Sequence, residues 1–164
     1  MINFGTINSS KINLSIRIIK IILSFLLLVW CFGFLFASIF PKSGVIVIYP
    51  IIKQIYSVVC HQTGYKSFEV NGFHFLVCAR CTGIYFGALV GSVLLLFIRN
   101  PINLKPRYFL VACLPILLDV FAYSTGIYSY NKIIAFITGA ISGSITILYI
   151  SNGFENFLQK KVYD

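Results

Sequence analysis

Two cysteines three residues apart, Cys78 and Cys81 in CARCTGIYFG, open an apolar run that carries no further charge until Arg99. Cys60 and His61 precede Cys78 by 18 and 17 residues, and His74 lies between. On the first turn of a helix, positions i and i+3 face one side, and the helix N-terminus with Arg80 alongside favours thiolates. Thiolates with a nearby imidazole are the donors that zinc and similar transition metals prefer, and Cys-x-x-Cys is a common half-site. Side chains of adjacent residues diverge, so Cys60 and His61 are not expected to share one ion. The expected set is therefore Cys60, Cys78 and Cys81, with either His61 or His74 as fourth ligand and the other close by.

The same residues suit two other uses. A Cys-x-x-Cys pair at the outer end of a span, with one more cysteine in the preceding loop, is the layout of a membrane thiol-disulfide oxidoreductase, although such enzymes shuttle disulfides through a second pair and only Cys60 is available. In an assembly subunit the cysteines are merely a staple. Cys31 and Cys113 fall inside apolar runs and read as small packing residues.

The elements that must position this set are set by composition. Hydrophobic residues make up 59% of the chain and charged residues 10%, in stretches far longer than a buried strand needs. The reading is an all-α membrane protein, a four-transmembrane-helix bundle with an interfacial helix and a small β-hairpin in the first extracytoplasmic loop. A helix needs about 20 apolar residues to cross ~30 Å of hydrocarbon, which places spans at 21–40, 79–98, 108–124 and 133–150. A basic N-terminus (1–20), a long loop (41–78), a short loop (99–107) and a tail (151–164) complete the chain. Pro101 and Pro106 stop helices in the short loop. Residues 44–59 are apolar but interrupted by Pro50 and Lys53, and read as an interfacial or re-entrant helix. The first run exceeds a signal-peptide core and has no small-x-small site after it, so an uncleaved span is expected.

Four spans put Lys11, Arg17, Lys20, Arg99, Lys105, Arg107, Lys160 and Lys161 on one side and Lys42, Lys53, Lys66, Arg80 and Lys132 on the other. The richer side is expected to be cytoplasmic, with both termini. The cysteines and histidines then face outward. A net charge of +9 is accounted for by the lipid bilayer as partner, since basic residues flank spans and meet anionic headgroups, and no basic groove with interleaved aromatics suggests nucleic acid.

Within the long loop, Asn71-Gly72 separates two short β-prone runs, the pattern of a two-residue hairpin turn. Val70 should then face Phe73 and Glu69 face His74, with the return strand delivering Cys78 to the second span. Asp119 is costly inside the third span and must turn inward. It serves either as a site member, a candidate catalytic residue with Arg80, or as half of a structural ion pair with Arg80 or Lys132. Pro115 permits a kink beside it.

CHQ (Cys60 to Gln62), KSFEVNG (Lys66 to Gly72) and CARCTGIYFG together resemble the signature of domain of unknown function 2085, a family of small prokaryotic membrane proteins. The likeness covers about residues 55 to 145 and implies a place in a prokaryotic cytoplasmic membrane. It also implies an acidic position in the third span, matched by Asp119, and a Thr-Gly in the last, matched by Thr138-Gly139. The chain departs from the pattern at Lys66, where arginine is common, and at Val120, where glycine is. An arginine that enters the last span has no secure counterpart in Lys132. The family name carries no activity and no substrate. Gly83, Gly87 and Gly91, and Gly139 and Gly143, recur every four residues and predict close helix contact, while Tyr123, Tyr128 and Tyr130 read as an aromatic belt. No phosphate-binding glycine loop or serine triad is present.

Overall fold

The computed structural model describes residues 4–39, 49–70, 72–98 and 105–163, with side chains at 14–35, 49–70, 72–98 and 105–157. Asn71, the stretch 40–48, Arg99 and Pro101, and the side chains of Lys11, Lys160 and Lys161 lie outside the described residues. The elements are α1 (Phe4–Ile39), α2 (Tyr49–Ser57), a 3-10 turn (Gly64–Lys66), β1 (Ser67–Val70), β2 (Phe73–Cys78), α3 (Ala79–Phe97), α4 (Pro106–Ser124) and α5 (Lys132–Tyr163). Among the described residues, four helices are long and apolar enough to cross a bilayer, within Leu14–Leu35, Ala79–Phe97, Pro106–Ser124 and Lys132–Phe157.

The helices α1 and α5, with 36 and 32 residues, outreach their apolar segments because nothing breaks the backbone where the apolar run stops. At 1.5 Å per residue α1 extends about 54 Å. The nine residues of α2 reach only about 14 Å, which is too short to cross. At the start of α4, Pro106 takes the first helical position after the Lys105 N-cap, where a missing N–H costs nothing. The helix then runs unbroken through Pro115.

Burial is arranged for lipid. Phe25, Leu26, Phe32, Leu110, Leu118 and Phe121 are exposed, while α1 turns Lys20, Ser24, Cys31 and Phe34 inward at helical spacing. The tightest helix pair is α3 against α5. There a Cβ on Gly83 would lie 2.9 Å from the Phe136 carbonyl carbon, and one on Gly87 would lie 2.7 Å from Ala140 Cα, so only hydrogens fit. Ser144 Oγ donates across the seam to the Gly87 carbonyl at 2.9 Å. The expected glycine contact between the second and fourth spans is thus where the backbones meet.

The hydrophobic core gathers at one end of the bundle, from Cys31 and Phe34 of α1, Tyr56 of α2, Cys60, and Leu76 and Val77 of β2. Tyr56 docks α2 onto α1: its hydroxyl donates to the Trp30 carbonyl at 2.6 Å, its ring lies 4.8 Å from the Trp30 ring, and Gly33 leaves room for it. The hairpin has the anticipated register, Glu69 opposite His74 and Val70 opposite Phe73, with an irregularity between Ser67 and Glu69 before Ser67 meets Cys78. Gly72 takes φ of +81°, open to glycine at no steric cost.

Candidate metal centre

Cys60 leaves α2 in a tight reversal. Its N–H bonds the Tyr56 carbonyl at 3.0 Å, Gln62 adopts φ of +48°, and the Gln62 side-chain amide donates back to the Lys53 carbonyl at 2.8 Å. A left-handed non-glycine residue is uncommon, and here it turns the chain two residues after Cys60. The hairpin then returns Cys78 to the N-cap of α3, where Thr82 Oγ1 donates to the Cys78 carbonyl at 3.0 Å. Cys81 follows one turn on. The sulfurs of Cys60, Cys78 and Cys81 all lie within 4.8 Å of one another, and none of the three is in a disulfide.

Among the described residues this trio is the one cluster of such groups with metal-holding geometry, and neither His61 nor His74 belongs to it. His61 is exposed. His74 Nδ1 stands 4.0 Å from Glu69 Oε2 across the hairpin. A tetrahedral ion with metal–sulfur bonds near 2.3 Å spaces its sulfurs about 3.8 Å apart, so the trio needs little adjustment to hold one. Three soft donors and no carboxylate make the set one for zinc or a like ion rather than magnesium or calcium. The Cys78 backbone N–H donates to Cys60 Sγ at 3.2 Å, and thiol hydrogen bonds from Cys78 and Cys81 together with that N–H hold the Cys60 thiol far below its ordinary range, to about 2, against burial. Cys78 is shifted up, first because it donates to Cys60.

Arg80, between the two cysteines, reaches across to Asp119 of α4. Its Nε donates to Asp119 Oδ2 at 3.1 Å and its Nη2 reaches the same oxygen, while the Tyr128 hydroxyl donates to Asp119 Oδ1. Arg80, not Lys132, is thus the expected ion-pair partner. With both oxygens engaged and only 6% of the residue exposed, Asp119 fixes the guanidinium. Tyr130 lies under that guanidinium, 5.8 Å from ring centre to Cζ, and burial pushes its phenol up to about 12. Lys66 extends over three rings, 4.4 Å from Tyr123, 5.3 Å from Tyr65 and 5.6 Å from Tyr130. The tyrosines read as an aromatic belt instead tie the hairpin, α4 and the α4–α5 connection around Arg80. No local spacing signals the contacts of Lys66 with Tyr123 and Tyr130 or of Arg80 with Tyr130, since these join residues distant in sequence.

Removing one partner of a buried ion pair strands the other. Asp119→Asn is expected to destabilise the bundle by roughly 3 kcal/mol, read as a lower midpoint in detergent-denaturant unfolding. The double change Arg80→Leu with Asp119→Leu should cost less than the single one, because no charge is then left unpaired.

A multi-pass helical membrane protein with a sulfur cluster at one end of its bundle is the class that fold and site define. Residues 60–149, more than half of the chain, match the family described as predicted membrane protein (DUF2085), and the chain belongs to that family. An uncharacterised protein of Methanocaldococcus jannaschii is 36% identical over 113 residues, covering 67% of this chain and 72% of the relative. Another, from Methanothermobacter thermautotrophicus, is 33% identical over 88 residues, covering 52% of this chain and 78% of the relative. No solved structure matches. The matched segment begins at Cys60 and contains all three cluster cysteines.

Proposed function

We propose that the chain is a membrane metalloprotein that holds one zinc-like transition-metal ion on Cys60, Cys78 and Cys81, at the extracytoplasmic end of the bundle. The mutual approach of three sulfurs from three separate elements carries this reading. The orientation rests on the excess of lysine and arginine at the opposite end.

Three protein ligands leave a tetrahedral ion one position for water or substrate, the pattern of a catalytic rather than a closed structural site. When bound, such an ion supplies Lewis acidity and an activated water. The chain's own residues do the rest: Asp119 and Tyr128 fix Arg80, and the hairpin holds Cys78 and Cys81 against Cys60. Arg80 is the candidate for meeting a substrate's developing negative charge. Asp119 is its positioning residue.

Metal loading of the reduced full-length protein, followed with a pH indicator in weak buffer, tests the donor set. Metal ligation needs the thiolate form, so uptake on these three cysteines should release protons, and more of them as the pH is lowered. Uptake without proton release would place the ion elsewhere. A Cys78–Cys81 bond that forms reversibly in protein that never takes up metal would favour the thiol-disulfide reading, which the proximity of the same sulfurs also allows.

A further inference from the structure

At the end of the bundle away from the sulfurs, α1 and α5 enclose a polar seam that the site does not use. Lys20 Nζ lies 2.7 Å from Glu155 Oε1, with both side chains about nine-tenths buried. One turn further along, Ser24 Oγ and Asn152 Oδ1 are buried and make no hydrogen bond among the described residues. Lys20 and Glu155 both fall inside apolar segments long enough to cross a bilayer, where buried charge is expensive and has to be shielded from water and lipid alike. The pair is 11 residues along α1 from Cys31, about 16 Å, so it belongs to the other half of the bilayer.

Beside the pair runs a groove of about 190 Å³, walled by Ile16, Ile19 and Leu23 of α1 and Ile150 and Phe154 of α5, with Lys20 and Glu155 at its floor. Its walls are hydrocarbon. An apolar cavity of roughly 150 Å³ stays dry and takes up an apolar ligand, and the medium against this groove is the lipid itself. Arg17 is exposed one turn from Lys20, and the same end of the bundle carries Lys11, Lys160 and Lys161 in sequence, while Glu155 is already paired with Lys20. The excess is positive, which selects among lipid headgroups.

We propose that the α1–α5 groove is a binding site for one hydrocarbon chain of an anionic membrane lipid, whose headgroup meets Arg17. The chain closes the groove over the Lys20–Glu155 pair and keeps it dry. This makes the lipid a part of the seam between the first and last spans, distinct from the freely exchanging lipid around Phe25 or Leu118.

Native mass spectrometry of the full chain, released from detergent containing equal amounts of phosphatidylglycerol and phosphatidylcholine with identical chains, tests it. A retained one-to-one adduct is expected, with phosphatidylglycerol favoured about fivefold or more, the effect of a single basic residue near the surface. Ile19→Trp fills the groove and should abolish the adduct. Arg17→Ala, on an exposed position that does not threaten folding, should keep an adduct but lose the preference. Equal retention of the two lipids by the unaltered chain, or an adduct undiminished in folded Ile19→Trp, would overturn the proposal. Unchanged accessibility of the three cluster cysteines to a thiol reagent shows that each variant is folded.

Discussion

Gly143→Val is expected to unfold the bundle in conditions where the unaltered chain is stable. A Cβ at this position would lie 2.8 Å from the carbonyl carbon of Ile84 and 2.9 Å from its Cα. Both atoms are backbone, so no rotamer change relieves the overlap, and the helices must separate. Separation also lengthens the bond from Ser144 to the Gly87 carbonyl and lifts α5 from the first turn of α3, where Gly139 sits 3.3 Å, by its absent Cβ, from the Arg80 carbonyl carbon. In lipid there is no hydrophobic penalty to drive the helices back together, so close packing is itself the stabilising term. The cost should reach the upper end of overpacking, about 3 kcal/mol, measured as a fall in the denaturation midpoint in detergent. Gly153→Ala is the control, since an added Cβ there meets nothing within 4 Å. Equal midpoints for the two variants would show that α3 and α5 do not meet as described.

Cys60→Ser should abolish tight metal binding while leaving the helices assembled. Structural zinc sites bind with roughly 10 to 16 kcal/mol over their ligands, so loss of one thiolate from three is worth roughly a hundredfold to a thousandfold in affinity. Cys78→Ser and Cys81→Ser should do the same. Cys113→Ser should not, because Cys113 faces Ser142 at 3.9 Å on the α4–α5 side, and neither should His74→Ala, whose ring lies across from Glu69 outside the trio. Competition against a chromophoric chelator gives each affinity. A Cys60→Ser protein that binds as tightly as the unaltered chain would remove Cys60 from the site.

What could be read from the sequence follows from how local the governing physics is. The four spans were legible because hydrocarbon demands long apolar runs, and the one rival stretch, 44–59, is interrupted by Pro50 and Lys53, with its described helix Tyr49–Ser57 too short to cross. The register near the hairpin tip was legible because Asn71-Gly72 in sequence signals a two-residue turn, and Val70 does face Phe73 and Glu69 His74, whereas the irregularity that brings Ser67 opposite Cys78 has no local signal. The approach of Cys60 to Cys78 and Cys81 followed from that clip. The Arg80–Asp119 pair was visible as one of two possibilities, because an intramembrane carboxylate has few partners at its depth.

Other features depend on how helices lie against one another, which periodicity does not state. Tyr128 was indistinguishable from an interfacial tyrosine until its hydroxyl was placed on Asp119. Lys66 likewise looked like a loop charge, although three rings surround it. In sequence, Lys20 closes a basic stretch that precedes the longest apolar run. Only the packing of α1 on α5 shows it buried on Glu155. Both histidines carried equal weight beside the cysteines in sequence, yet neither joins the sulfur trio. His74 lies four residues before Cys78 on β2, about 13 Å away along the strand.

The most direct test of the metal centre is X-ray absorption at the metal edge, on full-length protein purified without an affinity tag that binds metal and loaded with one equivalent of zinc. Three sulfur neighbours near 2.3 Å and one lighter ligand are the predicted first coordination sphere, reduced to two sulfurs or fewer in Cys60→Ser. An ion bound without sulfur, or protein that takes up no metal with Cys78 and Cys81 fully reduced, would contradict the account.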